Sequence, residues 1–376
     1  MTSPNEQRRA AVVGTGLIGG SIGLALRARG WHVSGIDADP ARAALAHQLG
    51  ALDAVGDDPG AEIIFVATPV SAVAAAARRA LRLPSRGLPS RGLPSRGLLG
   101  GGRVVTDVGG VKGRIVAEVD DPFFVGGHPM AGSEQEGVEG ADATLFDGAT
   151  WVLTPTAATD PSAYARLRGV VSSLGADVVA LEPQRHDALV AVVSHVPHLA
   201  AATLMGLAAD GAEEHAAMLR LAAGGFRDMT RVAAGHPGIW PDICAENSSA
   251  IVAALDRLMG GLAEVRDTVA GGDRAGLLGR LERARSARRS LPVRLVRPEE
   301  LSEVRLAVPD RPAVIAEVTT LLGEMAVNVE DLEIAHSAEG DRGVMVLVVD
   351  ARAADQVRIA LAAKGYRPSV QPLVAR

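Results

Sequence analysis

At 376 residues the chain can hold two or three domains of roughly 150 residues each, which excludes a lone small binding module. A formal charge of −6 with 48% apolar residues gives ample core material and no basic excess for a polyphosphate, so nucleic acid is a poor partner. Only two of the 38 basic residues are lysines, Lys112 and Lys364, a compositional habit that carries no function. The single cysteine, Cys244, cannot close an internal disulfide, and Met1 to Arg9 lacks the apolar stretch of a signal peptide; a reducing cytoplasm is expected. Ala188 to Ala209 carries no Asp, Glu, Lys or Arg and approaches the length of a membrane span. His195, Pro197 and His198 fall near its middle and no aromatic anchors flank it, so a buried helix is expected and no membrane.

Arg9 to Asp37 reads as strand, glycine turn, helix and strand, a βαβ unit. A helix from Pro40 to Leu49, a strand Ile63 to Ala67, a helix from Ser71 and a strand Arg103 to Thr106 continue the alternation. A parallel, doubly wound, Rossmann-like sheet is expected, with runs at Phe123–Val125, Thr150–Leu153 and Asp177–Leu181 completing it, in a domain over 1–183. Inside it Leu83 to Gly97 is three copies of Leu-Pro-Ser-Arg-Gly, whose prolines and glycines forbid helix or central strand. A mobile surface insertion is expected there (83–97).

From Gln184 the pattern changes to Ala/Leu-rich helical stretches such as Ala212–Ala223, Asn247–Met259 and Arg274–Arg289, giving an all-helical domain over 184–292. A proline-bearing link then leads to Glu303–Val308, a helix Ala313–Met325, strands near Asn328–Ala335 and Gly343–Asp350 about a turn at 339–341, a helix Ala353–Lys364 and a last strand at Arg367–Leu373. That order is βαββαβ, a ferredoxin-like third domain over 302–376.

Gly14, Gly16 and Gly19 form a GxGxxG pattern between a strand and a helix that starts with Leu17 and Ile18. There a tight turn, close backbone approach and a helix N-terminus suit a pyrophosphate. Asp37, 23 residues after Gly14, can accept from both ribose hydroxyls and disfavours a 2′-phosphate, so NAD is the expected cofactor. Thr68 and Pro69 should lie on the same carboxyl edge of the sheet. Three polar clusters follow: Thr106-Asp107 to Lys112; Gly126-Gly127-His128 to Ser133-Glu134; and Ser194-His195-Val196-Pro197-His198 with Arg227-Asp228 to Arg231, Trp240 and Asn247. A neutral His128 could take a hydroxyl proton as hydride leaves the same carbon, and Arg231 could clamp a carboxylate bidentately. His195 and His198 lack an HExxH pattern and a third ligand, so no metal is expected; Cys244 reads as inert.

The stretches GTGLIGGS, TDVGGVKG, GGHPMAGSEQEG, SHVPHL and FRDMTR through IWPDICAEN resemble the prephenate dehydrogenase family over about Arg9 to Leu291. The resemblance implies NAD-dependent oxidative decarboxylation of prephenate to 4-hydroxyphenylpyruvate on the route to tyrosine, with the helical domain forming a homodimer. It implies that His128 accepts from the ring hydroxyl and Arg231 holds a carboxylate, with Asp107 near the cofactor. Catalysis would fall to His128, His198 and Arg231, and His195, His198, Ser133, Glu134, Asp228 and Trp240 would line or shape the pocket. Many relatives carry serine where Gly110 stands, so another donor or a water must assist His128. The C-terminal part, with Val308 to Val314 and Val327-Asn328-Val329, looks like an ACT domain, which suggests tyrosine as an effector. Such domains usually have glycine where Ala313 stands. Arogenate dehydrogenase is the alternative of the same chemistry. A β-hydroxyacid or imine reductase and a cofactor-sensing regulator are remoter readings.

Overall fold

Short β-branched runs alternating with Ala-rich segments build a large sheet first. The computed structural model describes residues 7–84, 102–133, 135–214, 219–235, 237–290, 301–309, 311, 313–325, 327–336 and 342–372. In chain order the first part contains β1 (Arg9–Val13), α1 (Leu17–Arg27), β2 (His32–Ile36), α2 (Pro40–Gln48), β3 (Ala54–Val55), β4 (Ile63–Val66), α3 (Val70–Arg82), β5 (Val104–Asp107), α4 (Gly113–Val119), β6 (Phe124–Pro129), β7 (Thr150–Thr154), α5 (Pro161–Ser173) and β8 (Asp177–Ala180). The two-residue β3 lies on the sheet's edge and left no readable pattern.

The eight strands lie in the order β3-β2-β1-β4-β5-β6-β7-β8. Strands β1 to β6 are parallel, whereas β7 runs antiparallel to β6 and β8 follows β7. The parallel rhythm fails there because between β6 and β7 the chain forms only a 3-10 turn, Val138–Gly140, and no crossover helix. Successive residues point to opposite faces. Phe65 packs with Ile22, Leu26, Phe146 and Trp151 on one side, while Ile64 and Val66 pack with Val73, Ala77, Ile115 and Phe124 on the other. Helices α2 and α5 begin with proline after a capping carboxylate: Asp39 accepts from Ala41 N, and Asp160 from Ser162 N and Ala163 N.

The first two residues of the pentapeptide repeat, Leu83 and Pro84, are described, and the remainder lies outside the described residues. The stem is tied by Arg103, which is 1% exposed. Its guanidinium donates to the carbonyls of Leu83 (2.8 Å), Pro84 (3.2 Å), Pro59 (2.8 Å) and Ala61 (3.2 Å).

Next come α6 (Pro183–Val190), a π turn (Ala191–His195), α7 (Val196–Glu214), α8 (Gly224–Thr230), 3-10 turns at Arg231–Ala234 and Pro237–Ile239, α9 (Trp240–Glu246), α10 (Ser248–Ala270) and α11 (Arg274–Arg289). The single helix expected over 212–223 is not formed: α7 ends at Glu214, 215–218 lie outside the described residues, and Leu219–Leu221 is a 3-10 turn. Nor is the apolar stretch a buried helix within one chain. Its most apolar window is only 28% buried, and Leu189, Val192, Val193 and Leu207 are exposed. The clustered core of these helices is small, with Ala191, Val196, Ile251 and Ala254 at its centre.

The chain divides into two compact units, Met1–Arg274 and Ala275–Arg376. In the second, β9 (Leu301–Pro309), α12 (Val314–Glu324), β10 (Val329–His336), β11 (Arg342–Asp350), α13 (Ala351–Ala363) and β12 (Ser369–Pro372) form a βαββαβ module. Its antiparallel sheet has the order β10-β11-β9-β12. Val304, Leu306 and Val308, alternate residues of β9, meet Val318, Leu322, Val357 and Leu361 from the two helices. The turn expected at 339–341 lies outside the described residues.

Ala313, at the N-terminus of α12, adopts φ 71° and ψ 0°, the left-handed region that glycine enters without a Cβ penalty. Ala313→Gly should therefore stabilise this unit by about 1 kcal/mol, read as a higher urea midpoint; an unchanged or lower midpoint would refute the strain.

Candidate active site

The sheet order reverses between β1 and β4, and loops from both strands meet at their carboxyl ends, where such sheets bind ligands. Gly14 has φ 94°, and a Cβ there would lie 2.4 Å from the Ala67 carbonyl oxygen, so its turn presses against the strand end that leads to Thr68 and Pro69. A Cβ on Gly19 would lie 1.9 Å from the Gly14 carbonyl, whereas one on Gly16 would meet nothing within 4 Å. The turn is thus closed on its protein side and open at Gly16, where Leu17 and Ile18 begin α1 and leave first-turn amides without intrahelical partners. This cradle fits a dinucleotide pyrophosphate. Asp37 follows β2; its Oδ2 accepts from Thr15 N (2.7 Å) and Thr15 Oγ1 (3.1 Å), and its Oδ1 from Asp39 N (3.0 Å). It steadies the turn and stays half-buried beside it.

Asp107, expected near the cofactor, is tied into the protein by its own side chain. The residue is 0% exposed; its carboxylate pairs with Lys112 Nζ and accepts from Gly109 N (2.8 Å) and Gly127 N (3.2 Å). It anchors the loop between β5 and α4 and has no side-chain surface for a ligand. Lys112, equally buried, also donates to the Gly127 carbonyl at 2.7 Å. Burial lowers its pKa against the opposing pull of Asp107.

His128 sits near the end of β6, opposite Val152 of β7. A Cβ on Gly127 would lie 2.6 Å from the Asp107 carbonyl, so glycine lets the β5 loop close over this strand. A Cβ on Gly110 would lie 3.8 Å from His128 Nε2, which places that nitrogen toward the loop where relatives were expected to carry serine. On its other side His128 Nδ1 lies 2.8 Å from His186 Nε2, and His186 Nδ1 lies 2.8 Å from Asp187 Oδ1. The His128 pKa is pushed well below the ordinary imidazole value by burial first, then by His186, Lys112 and His195.

The chain of contacts continues. Asn247 Nδ2 donates to the Asp187 backbone carbonyl (2.9 Å) and lies 3.2 Å from His195 Nδ1. The Trp240 ring meets His195 edge-on at 6.1 Å and stacks on His198 at 3.7 Å and 16°. His195 itself is 2% exposed, so it props Trp240 from within the fold and offers almost no surface to a substrate, contrary to its expected lining role. Burial lowers the pKa of both His195 and His198.

The structure thus joins His128, His195, His198 and Trp240 through one set of contacts. Gly235, at the end of the turn that starts with Arg231, approaches His198: a Cβ there would lie 3.8 Å from Cε1. Arg231, Asp228 and Ser133 are exposed, and Ser133 Oγ accepts from Gln135 N at 3.1 Å. Glu134 lies outside the described residues. His186 and Asp187 were missed by sequence reasoning; their one signal was a histidine and an aspartate side by side at the first turn of a helix.

Two family models match in succession, "Prephenate dehydrogenase, nucleotide-binding domain" over residues 96–180 and "Prephenate dehydrogenase, dimerization domain" over 182–283. The prephenate dehydrogenase of Bacillus subtilis is 32% identical over 347 residues, spanning 89% of this chain and 90% of that one. Among solved structures, prephenate dehydrogenase of Aquifex aeolicus, in complex with hydroxyphenyl propionate and NAD+, is 28% identical with a TM-score of 0.67, covering 76% of this chain and 99% of that one. Synechocystis arogenate dehydrogenase is 31% identical with a TM-score of 0.63, covering 74% and 98%.

Because folding holds His128, His195 and His198 below their ordinary pKa, the unfolded chain binds more protons once the pH drops under about 6.5. Stability is then full above that value and is lost as the pH falls through the depressed folded pKa values. The urea midpoint should be flat near neutrality and decline below about pH 6.5; the decline should shrink in His128→Asn. A midpoint in the native protein that holds constant to about pH 5 would contradict the neutral burial.

Proposed function

We propose, from the premise that this chain belongs to the prephenate dehydrogenase family, that it catalyses NAD-dependent oxidative decarboxylation of prephenate to 4-hydroxyphenylpyruvate, in the route to tyrosine. The observation that carries the mechanism is His128, a desolvated imidazole held below its ordinary pKa, whose Nε2 lies beside Gly110 at the carboxyl edge of a dinucleotide-binding sheet. The open cradle at Gly14, Gly16, Leu17, Ile18 and Gly19 would hold the NAD pyrophosphate, and Asp37, Thr68 and Pro69 would border its ribose and nicotinamide ends. When bound, NAD supplies the hydride acceptor.

His128 takes the proton of the ring hydroxyl as the hydride leaves the same carbon. Loss of the ring carboxylate as carbon dioxide then restores aromaticity, so no strong acid is needed. Arg231 binds a substrate carboxylate, His198 and Trp240 wall the ring, and Ser133 and Asp228 shape the entrance. Gly110 offers no hydroxyl, so another donor or a water serves there. A second reading, arogenate as substrate, is favoured by the likeness to the Synechocystis enzyme, because Asp228 or Glu134 could pair with an amine.

We infer three parts, divided at 183 and at 292–302. It is supported by family models that meet between residues 180 and 182 and by the separate C-terminal βαββαβ unit. That unit has the element order of an ACT domain, with tyrosine as the effector. The helical part forms a homodimer in the cytoplasm; supporting this, its core is small while Val193, Leu207, Val252, Met259 and Leu262 are exposed. Such a stripe needs covering.

The test follows NADH formation with prephenate and with arogenate, each with and without tyrosine. Prephenate should be the faster substrate and tyrosine should inhibit; faster arogenate turnover would rename the substrate, and no NADH from either would overturn the reading. His128→Asn should lose about 10²–10⁴ in kcat with binding retained, while Arg231→Ala should mainly raise KM.

A further inference from the structure

The two Asp187 oxygens receive three donors: Lys112 N at 2.8 Å and the His186 ring at 2.8 Å on Oδ1, and Gly113 N at 2.7 Å on Oδ2. An ionised carboxylate only accepts, so His186 Nδ1 carries its ring hydrogen and donates it. A neutral His186 with its hydrogen on Nδ1 keeps its lone pair on Nε2. The atom 2.8 Å from it, His128 Nδ1, must donate. A neutral imidazole has one N–H, which leaves His128 Nε2 bare, on the side that faces Gly110.

We propose that His186 is a positioning residue for the reaction: through its bond to His128 Nδ1, and with its own tautomer set by Asp187, it fixes His128 in the form whose Nε2 receives the substrate hydroxyl proton. This rests on His128 being the proton acceptor. In the step, the hydroxyl O–H bond breaks and its proton joins His128 Nε2, while the electron pair of the carbon–hydrogen bond leaves as hydride to NAD. The resulting imidazolium keeps its Nδ1–H on His186, so no proton has to travel along the chain. The titratable groups facing His128 are Lys112 from the β5–α4 loop, His186 and beyond it Asp187 from α6, and His195 from the π turn. Lys112 is paired with Asp107 and aims at the Gly127 carbonyl, so the bond to Nδ1 is left to His186. A purely structural role for this buried pair would be indifferent to which nitrogen of His128 is protonated.

The first readout is nitrogen NMR of the native protein, with His128 assigned by loss of its signals in His128→Asn. The expected result is a protonated-type resonance for Nδ1 and a bare-type resonance for Nε2; the reverse assignment overturns the proposal whether or not prephenate turns over. The second is a pair of variants. His186→Leu removes the acceptor and should lower kcat at least ~10²-fold, as a wrong tautomer does elsewhere, with KM for prephenate and NAD changed by no more than about threefold. His186→Gln places a carboxamide oxygen where Nε2 stood and should recover kcat to within about tenfold of native. Equal damage in both variants, or native kcat in His186→Leu, would overturn the proposal. If His186→Leu fails to fold, the NMR assignment and His186→Gln still decide it.

Discussion

The Asp187 carboxylate is the contact on which the site depends. It accepts from the amides of Lys112 and Gly113, which start α4 of the sheet, and from His186 beside it at the start of the helical part. Its backbone carbonyl takes the Asn247 side chain, which in turn reaches His195. One residue thus couples the β5 loop, the base of His128 and the helices that carry Trp240 and His198. In a low-dielectric interior such networks are worth having only when complete, since each buried group left unpaired costs about 1–3 kcal/mol. Two further links run beside it on the surface, Ser71 to Asp242 at 2.6 Å and Arg114 to Glu246 at 3.0 Å.

The same principle, polar groups buried only with partners, holds at the strand ends of the sheet. Arg103 and the Lys112–Asp107 pair are the large charged side chains sealed in the sheet, and each saturates carbonyls or amides at the ends of strands. Arg103 ties the chain at Leu83 and Pro84 to the Pro59–Ala61 segment. The helical part solves its burial problem differently. With few apolar residues clustered inside and long helices bearing exposed leucine, valine and methionine, it has the composition of half an interface.

Much of the fold was legible because its signals are local. The alternation through Asp177, the glycine turn, Pro40 and Pro161 after capping aspartates, and the βαββαβ order of the last 75 or so residues each follow from periodicity and turn chemistry. What escaped depended on tertiary context. The antiparallel turn-back at β7 comes from a missing crossover helix, and β3 is too short to carry a pattern. The apolar stretch near His195 looked like core because a run without charges does not reveal which of its faces the rest of the chain covers. In the site, His128, His198 and Trp240 were legible from their setting among glycines and prolines. His186 and Asp187 were not, because their importance comes from touching residues 58 and 75 positions away. The partners of Asp107 were hidden for the same reason, since Gly127 lies 20 positions away.

His128 works as a neutral base only if it stays below the ordinary imidazole range, and the pH dependence of kcat/KM for prephenate tests this most directly, since that profile reports the free enzyme's essential groups. The acid limb should fall below about pH 6.5, the unperturbed imidazole value, leaving kcat/KM flat through neutrality. An acid limb centred at or above that value would show that His128 is readily protonated near neutral pH and would contradict the account.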